Sequence, residues 1–311
     1  MSTSVALMSK LASMLLMVIL GIIIVRVGLV KETDAKPLSA IVVYVLQPAL
    51  IIHAMELELT PERIKRFAFG VVFCICVYIL WIFITEVLKK PCKLLPADIG
   101  TLIYSNAGNL TLPVVAMVLG EEMVFYVSAL QIPFNIFIWT HGNMTMSGEK
   151  SFNIKKILLN SNIIALVIGL LLTAFNIRLP EIIDTTISTL NNAVAAISML
   201  VIGMVMGKGS KMPVSTIKRA HILNAGRLII FPMIAMVALY ATGVIRRHPE
   251  YAPVAMALFV GLSAPPASTI SQLAVLYDEQ PYEASAYNTI GMFLCIITMP
   301  LILLVYQMMF M

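Results

Sequence analysis

Apolar runs closed by clusters of charge divide the chain into ten segments: 5–30, 37–55, 64–88, 96–118, 122–142, 155–176, 184–207, 217–244, 251–276 and 281–309. Each approaches or exceeds the roughly 20 residues a helix needs to cross a bilayer core. The charges fall between the runs, at Arg26/Lys31/Lys36, Arg63/Lys65/Arg66, Lys89/Lys90/Lys93, Lys150/Lys155/Lys156, Lys208/Lys211/Lys218/Arg219 and Arg246/Arg247. The pattern predicts ten transmembrane helices with short connections. Two of them are interrupted. The fourth carries Ser105-Asn106-Ala107-Gly108-Asn109-Leu110-Thr111-Leu112-Pro113, and the ninth carries Gly261-Leu262-Ser263-Ala264-Pro265-Pro266-Ala267-Ser268-Thr269.

Composition agrees. Of 311 residues 60% are hydrophobic and 12% charged, about half the charged share of a soluble domain, and the mean hydropathy is +0.95. Soluble globular, disordered and disulfide-scaffold classes are excluded. Cys74, Cys76, Cys92 and Cys295 follow neither a disulfide nor a zinc spacing and read as packing residues. The net charge of +5 sits in loops, so it speaks for topology and not for nucleic acid. Met1 to Ser4 run almost directly into the first apolar segment without a small-residue cleavage site, which predicts a retained first span. With both termini outside, thirteen Lys and Arg lie on cytoplasmic connections and seven outside, the bias expected of a cell-membrane protein.

Five spans fall on each side of a short middle connection. The chain therefore reads as a first five-helix repeat (1–143), a cytoplasmic connection (144–154) and a second repeat (155–311) that enters the membrane from the opposite side, as in many secondary transporters. Both interruptions are followed by an apolar run, an acidic hairpin (Gly120-Glu121-Glu122 and Asp278-Glu279-Gln280) and a similar next span. There Val127-Ser128-Ala129-Leu130-Gln131 matches Ala284-Ser285-Ala286-Tyr287-Asn288. Prolines and glycines at matching places predict unwinding over 106–113 and around Pro265 and Pro266, tolerated only where protein or a water-filled cavity satisfies the freed backbone groups. The N-termini of half-helices suit an anion and freed carbonyls suit a cation. Candidate substrate contacts are Asn106, Asn109, Thr111, Pro113, Ser263, Pro265, Pro266, Ser268, Gln131 and Asn288.

Glu86, Asp98, Glu121, Asp184 and Asp278 all sit near span ends, which argues against a carboxylate-gated antiporter. Arg227 is the ionisable residue well inside a span, a functional position by default, where it either offsets an anionic substrate, pairs with a helix C-terminus or snorkels to an interface. His53 and His141 lie near span ends. There is no clustered nucleophile, base or metal ligand set, so neither an enzyme nor a cofactor is expected.

At these residues the chain resembles the auxin efflux carrier family, which includes plant exporters and bacterial malonate or dicarboxylate permeases. The Asn-x-Gly-Asn-x-x-x-Pro stretch of that family stands as Asn106-Ala107-Gly108-Asn109-Leu110-Thr111-Leu112-Pro113, and its Pro-Ala pair as Pro266-Ala267. The resemblance spans nearly the whole chain. It implies an all-α polytopic membrane protein of ten helices, arranged as two inverted repeats like the sodium/proton antiporters and bile-acid symporters. It implies that helices 4 and 9 cross at the substrate site. It also implies a scaffold of the first, second, sixth and seventh spans, often dimeric, with an elevator-like transport domain from the rest. The short middle connection resembles bacterial members, and Ile197-Ser198 stands where relatives often carry a proline. The function implied is secondary transport of small organic anions in the bacterial inner membrane. The alternatives are a sodium-coupled symporter of the bile-acid type and a non-transporting sensor.

Overall fold

The computed structural model describes residues 3–55, 60–107, 110–148, 155, 158–175, 177–207 and 213–311. Its named elements are helices: α1 (Thr3–Arg26), α2 (Ala35–Ile41), α3 (Gln47–Ala54), α4 (Pro61–Lys89), α5 (Pro96–Ile103), α6 (Thr111–Leu119), α7 (Glu121–Ser128), α8 (Gln131–Phe137), α9 (Asn143–Ser147), α10 (Ser161–Ala174), α11 (Glu181–Gly207), α12 (Val214–Ala225), α13 (Phe231–Thr242), α14 (Val244–Arg247), α15 (Ala252–Leu262), α16 (Ser268–Leu276) and α17 (Pro281–Phe310). Widened π turns at Val42–Leu46, Ile138–Gly142 and Gly226–Ile230 join α2 to α3, α8 to α9 and α12 to α13.

Among the described residues, four helical stretches are long and apolar enough to cross a membrane: Pro61–Lys89, Glu121–Ser147, Val214–Thr242 and Pro281–Phe310. Proline opens α4, α5 and α17, where its missing N–H is unpaired in any helix. The apolar residues are laid out for lipid. On α4, Val72, Ile79, Phe83 and Val87 are exposed while Phe73, Cys74, Val77, Tyr78, Trp81 and Thr85 are buried. On α17, Phe293, Ile297, Leu301, Leu304 and Met308 are exposed, and Tyr287, Asn288, Gly291 and Tyr306 are buried. A helix with large aliphatic side chains outside and amide and phenol groups inside has lipid for its outer solvent.

The described residues group into two compact units. One holds Met1–Pro61, Gly108–Ser128 and Asn160–Lys211 and the other Glu62–Ala107, Ala129–Leu159 and Met212–Met311. In the first, α1 and α11 pack backbone to backbone through Gly21 and Gly203. A Cβ built on either glycine lies 2.8 Å from the other's Cα and still closer to a helix carbonyl, that of Leu200 or of Val18. Without a hydrophobic drive between helices in lipid, such close approach is what holds them together. Gly203→Val should therefore lower the thermal midpoint in detergent by the equivalent of about 1–3 kcal/mol, and an unchanged midpoint would show that the pair is looser than described. In the same unit Gln47 accepts from Asn162 (3.1 Å). Glu121 accepts from Asn191 (2.9 Å) and lies 3.4 Å from His53.

In the second unit, α5 begins with a cap in which Asp98 accepts from the Leu95 N–H (2.8 Å). The same fully buried carboxylate pairs with both Arg219 Nε (3.0 Å) and Nη2 from α12. Asp98 is thereby satisfied at the helix start, where a negative charge is favoured. Tyr306 Oη on α17 donates to the Ala252 carbonyl (2.8 Å) at the start of α15.

Candidate functional site

The second unit contains the place where the two interrupted segments meet. α5 stops at Ile103, and Tyr104 turns extended (φ −97, ψ 120). α15 stops at Leu262, and the chain is non-helical until α16 begins at Ser268. Ser105 and Pro266 then face each other as an antiparallel bridge. The Asn106 N–H donates to the Pro265 carbonyl (2.7 Å) and the Ala267 N–H to the Tyr104 carbonyl (2.9 Å). Two consecutive prolines supply no N–H, so the strand-like pair takes its donors from Asn106 and Ala267 and only a carbonyl from Pro265. The bridge thus replaces part of the helix ladder that both segments give up.

Side-chain amides satisfy two further carbonyls. Gln131 Nε2, at the start of α8, donates to the Ala107 carbonyl (2.7 Å), and Asn288 Nδ2, on α17, donates to the Pro266 carbonyl (2.7 Å). These are the two amides that the internal match pairs, and each caps the break in the span before it. Asn135, one turn beyond Gln131, donates to the Gln131 carbonyl (2.8 Å), and its buried Oδ1 has no partner among the described residues. Gly291 leaves room for this arrangement, because a Cβ there would lie 2.5 Å from Pro266 Cδ.

Arg227 closes the site from behind. It sits in the π turn at Gly226–Ile230, fully buried. Its Nη2 donates to the Leu262 carbonyl (2.8 Å), and Nη1 lies 3.4 Å from the carbonyls of Leu102 and Ile103. The guanidinium stacks on Trp81 at 4.6 Å, and the indole N–H donates to the Phe231 carbonyl (3.2 Å). One cation therefore serves the C-terminal ends of both α5 and α15, where the helix dipoles are negative. Of the three roles open to Arg227 from its sequence position, the structure selects pairing with helix C-termini.

The other candidates fall as follows. The Asn106 backbone is in the bridge and its side chain is buried. Ser263 follows the last residue of α15 and its hydroxyl bonds back to the Phe259 carbonyl (2.6 Å). Ser268 is the first residue of α16. Asn109 lies outside the described residues. Thr111 and Pro113 belong to the first unit, buried in the first turn of α6. Unwinding through residue 113 is thus corrected. The helix resumes at Thr111, and Pro113 falls in the first turn, where helical N–H groups have no intrahelical partner and proline costs nothing. Among the described residues α16 has no side-chain cap bond at its start, which Ala267 precedes, and a helix start of this kind suits an anion. Sequence reasoning missed Tyr104 and Trp81, which read as ordinary span residues, and it placed Ser105 in the interruption without giving it a part in a bridge.

A protein that turns its aliphatic side chains outward and joins two interrupted helices in its interior, with their polar groups turned on one another, is an integral membrane transporter by class. A family model described as membrane transport protein matches residues 6–155 and 143–303, and the chain belongs to this family, that of the auxin efflux carriers. No curated protein matches the chain.

Proposed function

We propose that the protein is a secondary transporter of small organic anions, carboxylates of the malonate or indole-acetate type, working by alternating access around the paired breaks. The observation that carries this reading is the bridge between Ser105 and Pro266 with its amide caps. It sets the backbone N–H groups at the start of α16 beside unwound backbone, while Arg227 is committed to helix carbonyls, Asp98 to Arg219 and the two amides to the Ala107 and Pro266 carbonyls. Donors without a competing carboxylate favour an anion over a cation. The substrate site in this reading comprises Asn106, Pro265, Pro266, Ser268, Gln131 and Asn288, with Asn109 three residues past Asn106 on the chain. The two compact units support an elevator mechanism. One draws on the first, second, sixth and seventh segments together with Gly108–Ser128, and the other on the remainder. A homodimer through the first group, two inverted repeats of five helices, and both termini outside the bacterial inner membrane complete the proposal.

The test is uptake of labelled malonate and indole acetate by liposomes holding the purified protein. Flux above empty liposomes is expected for at least one of them, with loss to background in Asn109→Ala. Wild-type flux in that variant would remove the site assignment, and absence of flux for both anions would remove the anion reading.

A further inference from the structure

Tyr104 touches two things at once. Its carbonyl holds the Ala267 N–H in the bridge (2.9 Å), and its phenol runs to the π turn at Ile138–Gly142, where the hydroxyl donates to the Phe137 carbonyl (3.0 Å) and lies 2.8 Å from His141 Nδ1. A phenol has one proton. The phenol proton fits either acceptor, and placed on Phe137 it leaves the imidazole as the donor at Nδ1 with Nε2 open to a second proton, the arrangement taken here. Gly142 makes this fit possible, since a Cβ there would lie 3.1 Å from the Tyr104 ring. π turns inside helices occur often at functional positions, and two of the three here carry a basic side chain, Arg227 and His141.

Several other ionisable groups in this unit are paired or lie at the surface. Arg227 is bound to helix carbonyls, Asp98 to Arg219, and His221 and His248 are exposed. Facing His141 are Tyr104 from the end of α5, and Glu86 with Lys89 from α4, themselves paired at 3.5 Å. Tyr277, at the end of α16, donates to Asn143 (2.9 Å) two residues on. Among all these, an imidazole is the group whose charge changes near neutral pH.

We propose that His141 is the proton-binding site of the carrier: Nε2 takes one proton from bulk water when an anion is loaded and returns it after translocation, so that the carrier moves the anion with its charge offset. The proposal rests on the transport reading above and adds the coupling ion. The change is signalled to the crossover through the Nδ1–H bond to Tyr104, which strengthens when the ring is cationic.

Two measurements test it. Nitrogen-15 spectra of histidine-labelled full-length protein in detergent, with His141→Gln for assignment, read the ring directly. Expected is a neutral Nδ1–H form that becomes imidazolium on acidification within the pH window over which the protein stays folded, with the tautomer balance altered in Tyr104→Phe. A His141 that stays in one state across that window overturns the proposal, whether or not a substrate has been found. The second measurement is malonate uptake with and without an inwardly directed proton gradient. Expected is stimulation of about tenfold in the wild type and in His221→Gln, falling to no stimulation in His141→Gln, and a displaced pH midpoint in Tyr104→Phe. Stimulation retained in His141→Gln overturns the proposal while leaving the anion carrier intact. A wild type that moves malonate with no response to the gradient does the same. No malonate or indole-acetate flux in the wild type, beside a titrating His141, would instead remove the anion reading.

Discussion

Arg227→Met is expected to cost about 3–5 kcal/mol out of a total of about 5–15, and so to lower the thermal midpoint strongly and reduce the yield of folded protein. Two effects oppose each other. Removing a buried guanidinium relieves its desolvation cost, and a well-packed apolar replacement of an ion pair is sometimes neutral. Here, however, the partners are not a second charge that can be removed with it. They are carbonyls at the ends of α5 and α15 (Leu102, Ile103, Leu262), fixed by the backbone, and Met offers them nothing. Each carbonyl left bare costs about 1–3 kcal/mol, and loss of the stacking on Trp81 adds to this. Arg227→Lys should fall between wild type and Met. An ammonium keeps the charge, but it lacks the planar fork that reaches carbonyls from two helices while lying flat on an indole. Thermal unfolding and size-exclusion profiles in detergent decide the matter. A Met variant with the wild-type midpoint would mean that water inside the protein serves those carbonyls.

Much of the fold could be read from the sequence where one physical signal dominated. The apolar runs marked helical stretches, since lipid leaves no other home for them, and four of these, among the described residues, are long and apolar enough to cross a membrane where the runs predicted ten. Pro265 and Pro266 marked the break in the ninth segment, because two prolines in succession cannot continue a helix. The matched positions of Gln131 and Asn288 pointed to the amides that cap the breaks. What stayed hidden depended on tertiary partners. Pro113 looked like part of a break because its sequence cannot say which side of the break the helix resumes on. The π turns at His141 and Arg227 leave no periodic trace, since one extra residue in a uniformly apolar helix changes nothing in the pattern. Tyr104 and Trp81 read as apolar filling, and their roles rest on a single phenol oxygen and an indole face. Gly21 and Gly203 lie 182 positions apart, too far for local spacing to announce that they touch.

Asn288→Asp and Gln131→Glu should each reduce transport about tenfold or more at neutral pH, and their response to acid separates a structural cap from mere packing. Both changes keep the shape of the side chain and replace its NH₂ donor by an acceptor. A carboxylate set 2.7 Å from the Pro266 or Ala107 carbonyl repels it, and the break loses its donor. The new acid is buried beside a carbonyl, and both features disfavour its charged form, so its pKa rises above the ordinary carboxylate range of about 4. Protonated, it again has one O–H to donate. The sign follows: function is lost at high pH and returns as pH falls through the raised value, the reverse of what loss of an essential carboxylate would give. Asn288→Leu and Gln131→Leu, which cannot donate at any pH, should stay inactive throughout and lower the thermal midpoint by about 1–3 kcal/mol each. The two caps serve breaks joined through one bridge, so the double Leu variant should depart from additivity by about 0.5–3 kcal/mol. Flux in Asn288→Asp that stays low in acid, or in Asn288→Leu that stays high, would show that the Pro266 carbonyl does not depend on this amide.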